Sequence, residues 1–471
     1  MYVLCYATYL AFFHPLSKFP GPKLRAAFYL PFNWEIWTGR IGDNWHALHE
    51  EYGDIVRISP TMISVIQPEA WRDIYGHFKT PIPKDPNFYF RDNGVADIIM
   101  SNDADHTRFR RLLNHAFSDQ ALRAQEDIIN SYISLLISQL AKKASSDTPV
   151  DMTRYMGFAA FDILGDLCFD ESFDALKNED WDWWTSNTIK SRNSFRILRF
   201  LRAYPILGFP VMTILKLFPS LNTSRYRHRM HTMKKTSRRL DTETDRKDFI
   251  SYILKHNDEK GMTRPEIMSL SRILITAGSE TSASLLSGAI YYLLQSPEWM
   301  SKLQSEIRDS FKEESDMTFT SLRQAKVLNA VIQETFRMYP PVPGPLLRLV
   351  QKEGAVVCGK YFPAGCSIGV PQHSAYRSPR NFKYPDIFAP QRFLDDPEFK
   401  EDKKSVLQPF SVGPRNCIGQ NLAMSEIRLI LARLVWHFDM QLEQESQNWR
   451  DQRSFVFWDK SALMVRLTQR S

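Results

Sequence analysis

The sequence predicts a mainly α protein with a small sheet, long enough for one large domain or two ordinary ones, behind a short apolar start. Three observations carry this. Apolar residues recur at helical spacing over most of the chain, and short alternating segments such as Ile55–Val65 read as strands of a small sheet. The 471 residues, 43% hydrophobic and 13% aromatic with 31 Phe and 11 Trp, suffice for a sizeable core and argue against disorder. No internal repeat or low-complexity tract interrupts them.

Residues 1–13 come first. Tyr2 to Phe13 is largely apolar but shorter than the roughly 20 residues that span a bilayer. It has no basic n-region or small-residue cleavage site, so it does not read as a secretory signal. The expectation is a partial membrane anchor or a short interfacial segment. Residues 14–22, HPLSKFPGP, are too rich in Pro and Gly for a helix and read as a stiff linker. Residues 23–471 form the body.

Within the body, the clearest helix opens at Thr263-Arg-Pro-Glu266, with Thr263 as N-cap, Pro265 in the first turn and Glu266 completing a capping box. It runs unbroken to about Gln295, roughly 45 Å at helical rise. Apolar residues lie around most of its circumference, which implies burial on several sides. Yet its middle carries Ala277-Gly278-Ser279-Glu280-Thr281, a polar, glycine-bearing interruption that needs a reason. Residues 318–345 read as a helix ending at Tyr339-Pro340-Pro341, and extended segments follow to about residue 400. The last strong helix begins just after Cys417.

Net charge is +7, a modest excess that favours acidic partners or anionic membrane surfaces. The basic run Arg225 to Leu240 lacks a recognised nucleic-acid-binding fold and reads as a solvated helix face, so no nucleic-acid partner is expected. The five cysteines, at 5, 168, 358, 366 and 417, form no CxxC pair, which argues against a disulfide framework or zinc ribbon. All but Cys417 are expected to be buried small hydrophobes in a reducing environment.

Cys417 stands in FSVGPRNCIG. Gly413 and Pro414 make a tight turn, so the thiol arrives on a rigid loop just before a helix. Free N–H groups and the positive helix end favour a thiolate there. Gly419 leaves room for something flat and large, and Arg415 can pair with a carboxylate. The alternative is a buried cysteine at a helix N-terminus.

The run resembles the cysteine-ligand signature FxxGxRxCxG of the cytochrome P450 superfamily. The resemblance extends from HPLSKFPGP to FVFWDKSALMVRL, and is greatest to the microsomal members of filamentous fungi. It implies a single, mainly α domain with a small β-rich part, and haem b held through the Cys417 thiolate, with Phe410 and Gly413 shaping the loop and Arg415 on a propionate. Glu334-Thr-Phe-Arg337, alone an ordinary i,i+3 pair, is similar to the family's ExxR motif. Pro390-Gln-Arg392-Phe393 is similar to its PERF motif, with Gln391 where Glu is frequent. In the family, residues matching Glu334, Arg337 and Arg392 form a buried network behind the haem.

Ala277-Gly278-Ser279-Glu280-Thr281, alone a plausible packing seam, resembles the oxygen-activating AGx(D/E)T segment. Gly278 is expected to thin the helix and make room for O2, Thr281 to hydrogen-bond oxygen, and Glu280 to relay protons. His106 and Arg110, alone a solvated basic face, resemble a propionate-binding HxxxR pair, and Arg348 a further propionate contact. Phe88, Tyr89, Phe90, Val95, Val342, Leu346 and Phe457 are candidates for the pocket wall, with the 195–222 region (Phe195, Ile206, Leu207, Phe209) as its lid on the bilayer.

The resemblance implies a monooxygenase that inserts one atom of O2 into an apolar small molecule of a fungal secondary-metabolite pathway. The chain has no GxGxxG nucleotide motif, so a separate NADPH-dependent reductase is the expected electron donor. The expected location is the endoplasmic reticulum membrane, facing the cytosol. The alternatives are an isomerase or dehydratase of the same fold, which an intact Glu280-Thr281 pair disfavours, and a haem-binding sensor.

Overall fold

The computed structural model describes residues 1–470 except 78–80, 90–94, 182–199, 202–203, 205–207, 212, 215–232, 243 and 245. Phe90, Phe195, Ile206, Leu207 and positions 225–232 of the basic run therefore lie outside the described residues. The chain opens with α1 (Tyr2–Thr8), continued by a π-helical turn at Tyr9–Phe13. The proline-rich stretch is not free of helix: Pro15–Lys18 makes one 3-10 turn, with His14 Nδ1 accepting from the Leu16 N–H. Proline fits there because a first-turn residue needs no donor. Nor is the stretch a loose linker. Phe19 stacks on Phe362 at 4.7 Å, and the Arg57 N–H donates to the Pro20 carbonyl at 2.7 Å.

Three helices follow, α2 (Lys23–Ala27), α3 (Leu30–Thr38) and α4 (Ile41–Tyr52). They are clamped by the buried carboxylate of Glu35, which accepts from Arg25, from Asn44 Nδ2 at 2.8 Å and from Trp45 Nε1 at 3.1 Å. The expected strands form the hairpin β1 (Ile55–Ser59) and β2 (Met62–Val65), followed by α5 (Glu69–Tyr75). In the larger sheet β2 pairs in parallel with β7 (Ser367–Gly369), which pairs antiparallel with β4 (Arg348–Leu349). A second sheet joins β3 (Val150–Asp151), β9 (Met464–Gln469) and β8 (Phe438–Leu442), and β5 (Ala355–Val357) pairs with β6 (Lys360–Phe362).

The helical body has visible local causes. Asn102 caps α6 (Asp103–Ala116), Ser118 caps α7 (Asp119–Ser145) and Asp151 caps α8 (Met152–Phe169), each accepting a first-turn N–H. Short helices α9 (Ala175–Asn178) and α10 (Phe249–Lys255) lead to α11 (Arg264–Leu294). Here the capping box forms as read, the Thr263 N–H donating to Glu266 at 2.8 Å. Glu266 also accepts from Arg108 of α6, which ties the two helices together. After α12 (Pro297–Ser310) the helix expected from 318 begins only at Lys326, as α13 (Lys326–Met338). Thr318 and Ser321 bond each other's backbone and hold the preceding residues in a 3-10 turn. Then come α14 (Gln372–Tyr376) and α15 (Gln420–His437), the latter starting three residues past Cys417. All five cysteines are free thiols. Cys168 and Cys366 are buried as expected and Cys358 partly so, but Cys5 is exposed, because α1 has only part of one face covered.

The long helix α11 resolves its own contradiction. Its hydroxyls bond inward: Ser271, Thr276, Ser279, Thr281, Ser284 and Ser287 each donate to the carbonyl four residues back. A polar residue satisfied this way needs no outside partner. Gly278 has a different reason from the expected oxygen groove. A Cβ there would meet Leu164 Cδ1 of α8 at 2.6 Å, so the missing side chain admits the neighbouring helix. Gly278→Ala is therefore expected to cost about 1–3 kcal/mol in urea unfolding through overpacking. With Leu164→Ala also present, the combined loss should fall below the sum of the two.

Candidate active site

The loop bearing Cys417 is built to one shape. Gly413 has φ +76°, and a Cβ there would lie 1.9 Å from the Tyr75 carbonyl oxygen, so only glycine fits. The Cys417 N–H donates to the Phe410 carbonyl at 2.8 Å and closes the loop, while the Phe410 ring meets Phe336 of α13 edge-on at 5.2 Å. Gly419 is unstrained, and a Cβ there would make only ordinary contact with Phe117. Cys417 keeps exposed surface, and with Arg110 and Asn416 it lines a hollow of about 220 Å³. Burial raises the thiol above its ordinary range, outweighing the Gly419 N–H and Arg110, which pull it down. The helix-end N–H and Arg110 thus act in the expected direction, and a cation on the sulfur would add to them.

Arg110, expected beside His106 at a propionate, also braces the loop, donating to the Asn416 carbonyl and, at 2.7 Å, to Asn416 Oδ1. Behind the loop, Glu334, Arg337 and Arg392 come together as read, all with side chains 0% exposed. Arg337 makes a bidentate pair with Glu334 at 2.7 and 2.8 Å and donates to the carbonyls of Tyr376, Pro385 and Ile387. Arg392 reaches Glu334 at 3.2 Å, and the Ala389 N–H donates to the same carboxylate at 2.8 Å. Sequence reading missed the fourth member, Asp402, which pairs with the other side of Arg392. Gln391 stays outside the network.

A cluster of cations lies on another side. Arg415 donates to Asp103 and to the Ser101 carbonyl, leaving Nη1 buried with no partner among the described residues. Arg348 lies over the Tyr75 ring, and its buried Nε likewise has none. Lys84, which bridges β4 and was not legible in advance, is pushed down to about 7 by burial and by Arg415 and Arg348. Burial first, then Arg415 and Lys84, push His106 down to about 4, so at neutral pH it is an uncharged donor. Cations that depress one another while buried donors stay unused mark a place where an anion is to be held.

Helix α11 carries the Ala277–Thr281 segment. Residues 282–293 of this helix are buried, whereas Ile273, Thr276, Ala277 and Thr281 keep partial exposure deep in the molecule. Thr281 Oγ1 donates to the Ala277 carbonyl at 2.6 Å. Two polar side chains of the segment reach out of the helix: Glu280 to Lys460, and Ser282 to the enclosed carboxyl of Glu426 at 3.2 Å. Burial pushes Glu426 up to about 8, so it is protonated at neutral pH.

An exposed thiol on a fixed loop, a partly exposed helix stripe and guanidinium nitrogens without partners among the described residues fit a flat dianionic haem, whose iron Cys417 would hold and whose carboxylates Arg348, Arg415, His106 and Lys84 would take. A profile of the cytochrome P450 family matches residues 20–465. The chain is similar to cytochrome P450 monooxygenase astJ of Aspergillus oryzae, 44% identical over 98% of this chain and 94% of that protein. It is 41% identical to cytochrome P450 monooxygenase astA of Talaromyces wortmannii, over 98% and 94%. It is 38% identical to averantin hydroxylase of Dothistroma septosporum, over 100% and 90%.

Glu334→Gln leaves two buried guanidinium groups short of a countercharge and should cost about 3–5 kcal/mol in urea unfolding, with loss of haem. Lys84→Met should act with opposite signs on two states. It is expected to raise the melting temperature of the haem-free protein and to speed haem transfer to an acceptor protein from the loaded one. Because the folded lysine titrates near 7 and the unfolded one near 10.5, its penalty is full below about pH 7 and fades toward 10.5. The gain in the haem-free protein should shrink across that window.

Proposed function

The chain belongs to the cytochrome P450 family, and from that premise we propose that it is a haem-thiolate monooxygenase inserting one atom of O2 into an apolar small molecule of fungal secondary metabolism. The observation that carries the reading is an exposed Cys417 on a loop braced from behind by the wholly buried Glu334, Arg337 and Arg392. The overall change is RH + O2 + 2e⁻ + 2H⁺ → ROH + H2O. When bound, the haem supplies the iron chemistry that activates O2 with donor strength from the sulfur. The protein supplies the rest. Arg348 and Arg415 orient the carboxylates, the Glu334 network fixes the loop, and α11 positions a hydroxyl and a carboxylate for proton delivery. Thr281 has to turn its proton away from the Ala277 carbonyl to donate it elsewhere. The fungal relatives named as monooxygenases, and one named for hydroxylating averantin, support the reaction class.

Electrons come, in this reading, from a separate NADPH-dependent reductase that docks over the cysteine loop. Two hollows open there, one of about 220 Å³ lined by Arg110, Asn416 and Cys417, the other of about 380 Å³ lined by Arg323, Phe410 and Arg428. Cations beside an indirect route to the sulfur suit an acidic partner.

The same reading places the body on the cytosolic face of the endoplasmic reticulum membrane. Tyr2, Leu4, Phe12, Phe13, Leu24, Leu30 and Trp34 expose large apolar surfaces, as does Phe209. Asn33 bonds Tyr204 at 3.2 Å and Trp37 meets Phe200 at 5.6 Å, so the two exposed regions adjoin. Among the described residues no helix is long and apolar enough to cross a membrane.

Thr281→Ala is expected to keep haem, seen as an unaltered carbonmonoxy difference spectrum, and to cut product formed per NADPH about tenfold or more, with the electrons recovered as hydrogen peroxide. Unchanged coupling would refute the assignment. Phe12→Ser with Phe13→Ser and Leu30→Ser should weaken flotation with phosphatidylcholine vesicles about tenfold or more; undiminished binding would remove this face from the membrane.

A further inference from the structure

Lys460 lies in the stretch between the Trp458 ring and β9, far in sequence from every motif of the site. Its ammonium meets Glu280 Oε2 at 2.9 Å and Ser284 Oγ at 2.8 Å, and both members of the ion pair are 9% exposed. The contact is directed. Ser284 gives its own proton to the Glu280 carbonyl at 2.6 Å, so its oxygen faces Lys460 as an acceptor. The stretch is fixed at both ends. Trp458 donates to the Pro340 carbonyl at 2.8 Å and stacks on Tyr339 at 4.7 Å, while the Leu463 N–H donates to Asp151 at 3.0 Å. Residues 459–462 arch between these two anchors, and Asp459, Ser461 and Ala462 are exposed. Water therefore lies one residue away, on either side, from the cation that holds a buried acid of α11.

We propose that Lys460 is a positioning residue that keeps Glu280 ionised and turned toward the 459–462 arch, and that its release of the carboxylate admits solvent protons to the Thr281 side of α11. A carboxylate this enclosed stays charged only against a countercharge. Lysine is suited to letting go, being a compact charge on a flexible four-carbon stem that also reaches water from this position. The protonic part of the proposal rests on the monooxygenase reading; the ion pair itself does not.

The test uses the full chain with haem bound and compares Lys460→Gln, which keeps a donor without charge, with Lys460→Arg, which keeps the charge. Infrared difference spectra of the resting enzyme against Glu280→Gln assign the Glu280 carboxyl. Wild type and Lys460→Arg should show it ionised at neutral pH. In Lys460→Gln the protonated-carboxyl band should appear, with its titration about 1–3 units higher. Peroxide formed per NADPH by the reductase-supplied enzyme, without added substrate, should change in Lys460→Gln and return to the wild-type value in Lys460→Arg. A protonated Glu280 in wild type, or the same spectrum in Lys460→Gln, overturns the pairing even if a variant folds poorly. The shifted band with unchanged peroxide yield in all three proteins overturns the proton-entry role alone. Failure of Thr281→Ala to uncouple turnover counts against the monooxygenase reading while leaving the infrared result standing.

Discussion

The carboxylate of Glu334 is the point on which the site's architecture depends. It is wholly enclosed, yet it accepts from two guanidinium groups and one backbone amide, so each of its oxygens is occupied. Through Arg337 it holds the carbonyls of Tyr376, Pro385 and Ile387, and through Arg392 it reaches Asp402. Chain from four separated stretches is thereby fixed behind the cysteine loop. Burying such charges is unfavourable unless all are paired. The network is thus an all-or-none support, and a loop resting on it has one geometry.

A second constraint runs the other way. Near Lys84, Arg348 and Arg415 the protein assembles positive charge that Asp103 matches only in part, leaving Arg348 Nε and Arg415 Nη1 without partners among the described residues. What is overdetermined behind the loop is left incomplete beside it, and the deficit has the sign and the donors of a carboxylate-bearing group. Rigid support on one side and part-matched charge on the other are two parts of one arrangement: the first sets where the sulfur is, the second where an anionic edge has to lie.

Much of this was legible in the sequence because local chemistry determined it. The capping box at Thr263, the strands within 55–65, the turn at Gly413 and the Glu334–Arg337 pair each follow from residues close together in the chain. Departures came where distant chain decided. Gly278 reads locally as room for a small ligand, but Leu164, more than a hundred residues earlier, occupies that side. Arg110 has helical spacing from His106, but its bonds to Asn416 could not be read from that spacing. Lys84, Asp402 and Lys460 carry no motif at all. Each is a single charged residue in a turn or extended stretch, and only tertiary pairing reveals its role.

The inward-bonded hydroxyls of α11 have a further meaning for whatever lies against that helix. Having given their protons to carbonyls of their own turn, Thr276 and Thr281 offer outward only lone pairs. The helix therefore presents a wall of acceptors, although its composition suggests groups able to act both ways. A molecule seated there gains a hydrogen bond by bringing a donor of its own, while a bare ether or ketone oxygen finds none until a threonine turns. Selectivity along this wall is thus written in which partner supplies the hydrogen, a property that side-chain identity alone does not disclose.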